Sequence, residues 1–255
     1  MTDRSVHLTG LILISQLLLG QAAMIPAGGQ SHVTELEGSV SYAQAVDRAY
    51  GLDQELINGT QYYNRYLMAR GNPYFMDESF QKGMVSVNGS VYPDVNLQYD
   101  IYSQHLELRY ESFSGANNHL VMVTGHLDSF RIGTLRFERL ELEGEMRICQ
   151  VIRTEPFTCY IHWTKQLFPA SNIPAYSSQF TDSHCSYLLE MEGTRHRFRN
   201  RRTFMSLFPQ VPGKEIRKLL RKHGVSFRRN TPGTLSPMME DLAGYLVRDQ
   251  SGPGL

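Results

Sequence analysis

The tightest grouping of residues able to do chemistry in this chain is Val123-Thr124-Gly125-His126-Leu127-Asp128-Ser129. In a strand, side chains two apart share a face, so His126 and Asp128 are expected side by side like a pair of metal ligands. A protein metal site needs at least one more ligand and a fold that delivers it. No Asp-Asp or Glu-Glu pair occurs in the chain, and no βαβ pattern surrounds the motif. We therefore assign no metal and no cofactor to His126 and Asp128. Nucleophile motifs are also missing: there is no GxSxG elbow and no HExxH helix. The sequence names no catalytic residue and leans against an enzyme.

Three cysteines, Cys149, Cys159 and Cys185, lack CxxC spacing and are too few for a disulfide scaffold. They lie in apolar strand patterns, where buried thiols are inert. Cys149 and Cys159 flank a turn at Thr154-Glu155-Pro156 and could meet across a hairpin. A one-residue slip changes which side chains are opposite, so three unbonded thiols are the favoured reading.

Charge supplies the clearest functional feature. Between Arg195 and Arg229 stand twelve Lys or Arg residues and one acid, Glu215, a net +11 in a chain whose formal charge is zero. Strand alternation puts Arg195, Arg197 and Arg199 on one face, opposite His196 and Phe198. Arg217, Arg221 and Lys222 fall on the solvent side of a helix, and Arg228 follows it. Such a surface attracts anionic polymers or membrane surfaces. It is equally compatible with a solvated face balanced by the acidic remainder of the chain. A second cluster, Tyr62, Tyr63, Tyr66, Tyr74 and Phe75 with Arg65 and Arg70, could stack on sugar rings. Alternating aromatics are also what a strand core requires, and core packing is the expectation.

The elements that must position these residues follow from periodicity. Residues 39–57 fit an N-terminal helix capped by Ser39 or Ser41. Asn58-Gly59 and Asn88-Gly89 predict hairpin turns, because both central positions of a type I′ turn need positive φ. Residues 95–102 alternate, with Val95, Leu97, Tyr99 and Ile101 on one face. Further strands are expected at 106–110, 120–124, 129–132, 136–142, 146–153 and 157–164, at the spacing of an antiparallel sheet. Residues 169–181 are expected to cross an end of the sheet. A last hairpin, 186–191 and 195–199, turns through Glu192-Gly193. Two C-terminal helices follow within about 212–250. One spans 214–223 with Gly224 as its C′ residue, and the other opens at Ser236-Pro237 with Met239, Leu242, Leu246 and Tyr245 as its apolar stripe. The fold class is therefore mainly β, an antiparallel meander forming a curved sheet or partly open barrel, with an N-terminal helix and two C-terminal helices.

Residues 1–23 fit a signal peptide: Arg4, a short apolar run from Leu8 to Leu19, and small residues for cleavage after Ala22 or Ala23. The run is too short to span a bilayer, which needs about 20 apolar residues. Residues 24–38 read as a flexible junction and 39–250 as one domain, exported to the periplasm or beyond.

The chain resembles a family of uncharacterised exported proteins of Gram-negative bacteria. The resemblance rests on Glu55-Leu56-Ile57-Asn58-Gly59 with Tyr62-Tyr63, on Gly71-Asn72-Pro73-Tyr74-Phe75, and on Gly83 through Asn88-Gly89 to Tyr92. It continues with Leu97-Gln98-Tyr99-Asp100-Ile101-Tyr102, Ser129-Phe130, Tyr187-Leu188-Leu189 with Gly193, and Ser206-Leu207-Phe208-Pro209. It covers roughly residues 50–230, implies architecture, and brings no catalytic residues. The expected function is a noncatalytic binding or envelope-associated module. Its basic residues Arg195, Arg197, Arg199, Arg217, Arg221, Lys222 and Arg228 would contact an anionic glycan, lipopolysaccharide or protein. Export and the absence of groove-reading elements argue against nucleic acid. The rivals are an envelope hydrolase with an unrecognised site and a structural partner of an envelope assembly.

Overall fold

A computed structural model describes residues 53–112, 114–171, 175–227 and 233–250. The expected signal peptide, the expected junction and residues 39–52 of the expected first helix lie outside the described residues, as does Arg228. Residues 53–57 form a single turn closed by Ile57 N donating to Asp53 O at 3.1 Å.

The described chain is mainly β. The main sheet contains β1 (Gly59–Gln61), β3 (Gln81–Val87), β4 (Ser90–Asp100), β5 (His105–Glu111), β6 (Asn117–Met122), β7 (Leu127–Ile132), β8 (Leu135–Leu142), β9 (Glu145–Arg153), β10 (Phe157–Thr164), β13 (His184–Met191) and β14 (Thr194–Phe198). Their order is β1-β6-β5-β4-β3-β7-β8-β9-β10-β13-β14, and every pairing is antiparallel. The sheet is open, with β1 and β14 as its edges. A second sheet joins β11 (Leu167–Pro169), β12 (Ser178–Phe180) and β2 (Ala69–Arg70), the last pair being parallel. Residues expected only to cross a sheet end thus form a sheet of their own.

The order departs from a simple meander at one place. The hairpins from β3 to β6 run outward, and β7 then returns to pair with β3. Four strand steps on a flat sheet cover about 19 Å. Met122 and Leu127 are joined by five Cα steps, spanning at most about 18 Å when fully extended, and Thr124–His126 form a 3-10 turn instead. The sheet must therefore curl. Its curl brings the turn before β1 against the β3–β4 tip, where Asn88 Nδ2 donates to Glu55 Oε1 at 2.7 Å.

Turn chemistry explains where strands reverse. Asn88-Gly89, Glu143-Gly144 and Glu192-Gly193 each hold two consecutive positive φ angles, as a type I′ hairpin requires. Asn58-Gly59 does not: neither has positive φ, and Gly59 begins β1. The motif was expected to be a hairpin, and the correction has a steric reason. A Cβ on Gly59 would stand 2.4 Å from Val121 O, so glycine there permits close backbone approach, a recurrent use of glycine in strands.

The inner face carries the core. Leu97 and Tyr99 of β4, Ile101 just after it, Leu106 and Leu108 of β5, and Phe130, Phe137, Ile161, Trp163 and Leu189 of later strands are buried in one cluster. Three helices cover it. Helix α1 (Arg201–Met205) is short and unexpected from the sequence; its capping box joins Thr203 N to Asn200 Oδ1 and Asn200 N to Thr203 Oγ1. Helix α2 (Gly213–Lys222) buries Ile216 and Leu220 and stops at Gly224, φ +62°. Helix α3 (Leu235–Gln250) starts one residue before the expected Ser236 cap and buries Met238, Met239, Leu242 and Leu246. No helix among the described residues is long and apolar enough to cross a membrane.

The cysteines sit on opposite faces. Cys159 lies in the inner core, whereas Cys149 packs outside with Val151, Tyr160 and Leu188. In the β9–β10 register Cys159 faces Ile152, so the possible cross-hairpin bond has no geometry. Burial pushes the Cys149 thiol up to about 12 and Cys159 higher still.

Candidate functional site

The sheet's outer face is polar where β4, β5 and β6 meet. Alternation that sends Leu97, Tyr99, Leu106 and Leu108 inward sends Gln98, Asp100, His105, Glu107 and Arg109 outward. Register then sets Asp100 opposite His105, Gln98 opposite Glu107, and Arg109 opposite His119. Beside β4, beyond the reach of β3, the segment Pro73–Phe75 takes over the pairing: Phe75 N donates to Tyr99 O and Ile101 N to Pro73 O. Its Tyr74 side chain thereby lies over Glu107. The residue after β1 is Tyr62, whose N–H donates to His119 O at 2.9 Å and whose ring stacks on His119 with centroids 3.9 Å apart.

Three side chains contact Glu107, which is fully buried. His119 Nε2 is 2.8 Å from Oε2, Tyr74 OH donates to the same oxygen at 3.4 Å, and His105 Nε2 lies 3.3 Å from Oε1. Tyr62 OH meets Tyr74 OH at 3.1 Å. Asp100, also buried, accepts the Tyr102 and Ser103 N–H groups on Oδ1 at 2.8 and 2.7 Å. Its Oδ2 faces His105 Nε2 at 3.6 Å.

These surroundings move the two carboxyls in opposite directions. Burial pushes Glu107 up, but hydrogen bonding to His105 and His119 and their charge outweigh it, leaving Glu107 below the ordinary range. Burial dominates at Asp100 and raises it, against the hydrogen bonds from Ser103 and Tyr102 and the His105 charge. Burial also raises the phenols of Tyr62, Tyr66 and Tyr74, the last by far the most, so all three stay neutral donors.

A cleft of about 360 Å³ opens on this cluster, lined by Gln61, Tyr62, Tyr63, Tyr66, Asp100 and His105 among others. Tyr66 is fixed edge-on against Tyr102 and Phe180, and its OH meets Ser103 Oγ at 3.1 Å. Tyr63 is 75 % exposed. The tyrosine cluster was expected to be core. Phe75 is, against Phe137 and Trp163, and Tyr74 is buried beneath the site. Tyr62, Tyr63 and Tyr66 instead form a wall of the cleft, in the segment that follows the edge strand β1.

The other expected residues lie elsewhere. His126 belongs to the 3-10 turn and not to a strand. Asp128 is the second residue of β7, at a shift in the β3–β7 register, and its Oδ2 accepts Gly89 N at 2.6 Å and Ser86 Oγ at 3.1 Å, anchoring the β3–β4 turn. Among the described residues the two do not join a third ligand; Asp100, His105 and Glu107 do come together.

The basic segment is partly neutralised. Arg195 pairs with Glu190 at 2.7 Å, Arg197 with Glu143, and Lys222 with Asp241 at 2.6 Å, which His223 shares. Arg199, Arg217 and Arg221 are exposed, as are Arg201 and Arg202. Sequence reasoning missed His105, Glu107 and His119. Their signal was present as His105-Leu106-Glu107-Leu108, a polar stripe alternating with an apolar one. Compared with family models, curated proteins and solved structures, the chain matches none.

Proposed function

We propose that this is an exported binding protein whose ligand site is the tyrosine cleft, and that the ligand is a carbohydrate. The observation that carries the reading is an exposed Tyr63 beside Tyr62 and Tyr66, above a buried carboxylate, in a cleft of about 360 Å³. Such volumes fall in the range of small-molecule sites, which combine aromatic walls with a few fixed polar groups. Sugar rings offer apolar C–H faces to aromatic rings and hydroxyls to polar neighbours. Here Gln61, Arg65, Ser103 and the Asp100 carboxylate stand ready for the hydroxyls. Titration calorimetry against neutral and acidic oligosaccharides tests the reading. Tyr63→Ala is expected to weaken the best ligand about tenfold, the equivalent of about 1.4 kcal/mol. Binding that ignores both Tyr63→Ala and Tyr66→Ala would place the ligand elsewhere.

A second reading keeps an anionic partner at the C-terminal basic surface. It is favoured by the exposure of Arg201, Arg202, Arg217 and Arg221, which stand apart from the acids that neutralise Arg195, Arg197 and Lys222. Salt-sensitive retention on a heparin resin, lost on reversing Arg217 and Arg221 to Glu, supports it. Retention unchanged by that reversal removes it.

A further inference from the structure

The outer-face cluster also sets two buried carboxylates around one imidazole. Each buried carboxylate commits one oxygen to close hydrogen bonds and turns the other toward His105 at a longer distance. Asp100 commits Oδ1 to two backbone N–H groups, and Glu107 commits Oε2 to His119 and Tyr74. The remaining oxygens, Asp100 Oδ2 and Glu107 Oε1, both face His105 Nε2, at 3.6 and 3.3 Å. A charge-assisted N–H···O bond is shorter, about 2.7–2.9 Å, and His119 meets that length with its 2.8 Å contact. His105 does not, although it is adjacent in register to Asp100 and two residues from Glu107.

The longer separations match a different arrangement. A tetrahedral ion with bonds of about 2.0–2.2 Å holds its ligand atoms about 3.3–3.6 Å apart. Both distances from His105 Nε2 fall on those tetrahedral edges, and all three ligand atoms lie within 4.8 Å of one another. His119 engages the far oxygen of Glu107, so the two remaining carboxylate oxygens share the His105 imidazole, an arrangement that a divalent cation neutralises. Asp100 and His105 also line the cleft, so a fourth coordination position can open into it. The supporting bonds are those a metal site has, with ligand carboxylates held from behind by His119, Tyr74 and backbone N–H groups.

We propose that Asp100 Oδ2, His105 Nε2 and Glu107 Oε1 bind a divalent transition-metal ion, with its remaining position open to the cleft. One nitrogen and two carboxylate oxygens suit zinc, and the imidazole disfavours magnesium and calcium. His119 is a positioning residue that orients Glu107. The proposal shares Asp100 and the cleft with the carbohydrate reading, but it uses none of Tyr62, Tyr63 or Tyr66.

The full chain, stripped by chelator dialysis, is titrated with zinc in competition with a chromophoric chelator and, separately, with cobalt(II). One ion per chain and the intense visible absorption of four-coordinate cobalt are expected. Asp100→Asn preserves the oxygen that accepts Tyr102 and Ser103 N–H groups, and His105→Ala removes a side chain at the cleft rim, so both should fold; circular dichroism checks this. Each is expected to weaken zinc by more than the about 10–100-fold that loss of a supporting partner costs. His119→Gln should fall within that range. Zinc should raise the melting temperature of the native sequence and not of His105→Ala. Absence of a stoichiometric ion overturns the proposal. So does zinc retained with native affinity by both folded variants. Tyr63→Ala should leave zinc binding unchanged, which separates failure here from failure of the carbohydrate reading.

Discussion

Replacing Gly59 by alanine tests how the cleft wall is held. The added Cβ would stand 2.4 Å from Val121 O and 2.9 Å from Leu120 Cδ1. A carbon–oxygen contact relaxes to about 3.3 Å, so β1 must retreat about 0.9 Å from β6. The Tyr62 N–His119 O bond, 2.9 Å long, then stretches to about 3.8 Å, outside hydrogen-bonding range. Its net loss costs about 1 kcal/mol. Loss of the Tyr62–His119 stack costs about 0.5–1.5 kcal/mol more. The total, about 1.5–2.5 kcal/mol, is confined to an exposed edge strand, because the inner core makes no use of β1. Hydrogen exchange resolves it by peptide. Amides of 59–62 and their partners on β6 should exchange about ten- to seventyfold faster, at 1.4 kcal/mol per tenfold, while β8 to β10 stay unchanged. Carbohydrate binding should weaken with the wall. Zinc should stay bound, because Asp100, His105 and Glu107 sit on β4 and β5. Unchanged exchange at 59–62, or acceleration spread evenly over the sheet, would refute the steric argument.

Three further outcomes follow from the same packing. At pH 8 the native protein should resist a disulfide thiol reagent at Cys149 and Cys159, and denaturant should release all three thiols; one thiol under denaturant would mean a bond that the opposite-face placement forbids. Hydrogen bonding to the Arg153 guanidinium, which outweighs burial, holds Glu138 below its usual range. Its contribution to stability should therefore be complete above the unfolded value of about 4.3 and vanish as pH falls through the lower folded value. Urea unfolding of Glu138→Gln against the native sequence checks the sign: a difference that grows in acid would contradict it. Asp128→Ala removes the acceptor of Gly89 N and Ser86 Oγ and should cost about 1–2 kcal/mol, read as a lower urea midpoint, with zinc stoichiometry unaltered. Loss of zinc would return the metal site to His126 and Asp128.

Much of the fold was legible because it is written in local signals. Asn88-Gly89 and Glu192-Gly193 are turns for the reason the sequence suggests, and the alternation of 95–101 delivers Leu97, Tyr99 and Ile101 to the core. Gly224 ends its helix as expected. The failures share a different cause. Asn58-Gly59 carries the same dipeptide as a true turn, yet its glycine answers to a neighbouring backbone that only the β1–β6 pairing supplies. The return of β7 to β3 and the parallel pairing of β2 with β12 likewise depend on partners remote in sequence.

The site shows why chemistry was harder to read than architecture. His126 and Asp128 attracted notice because they are adjacent in sequence, and the fold spends Asp128 on a turn. Asp100, His105, Glu107 and His119 drew none, since no two form a familiar motif. Their meeting needs three separate choices: a β4–β5 hairpin that sets Asp100 opposite His105, a β5–β6 register that brings His119 diagonally to Glu107, and a segment at 73–75 that extends the sheet to lay Tyr74 above them. A one-residue slip in either hairpin would send the imidazoles to the inner face and the leucines out. Burial of Leu97, Leu106, Leu108 and Leu120 forbids that slip. The apolar pattern that the sequence displays openly therefore fixes the polar constellation that it hides, because both are faces of the same strands.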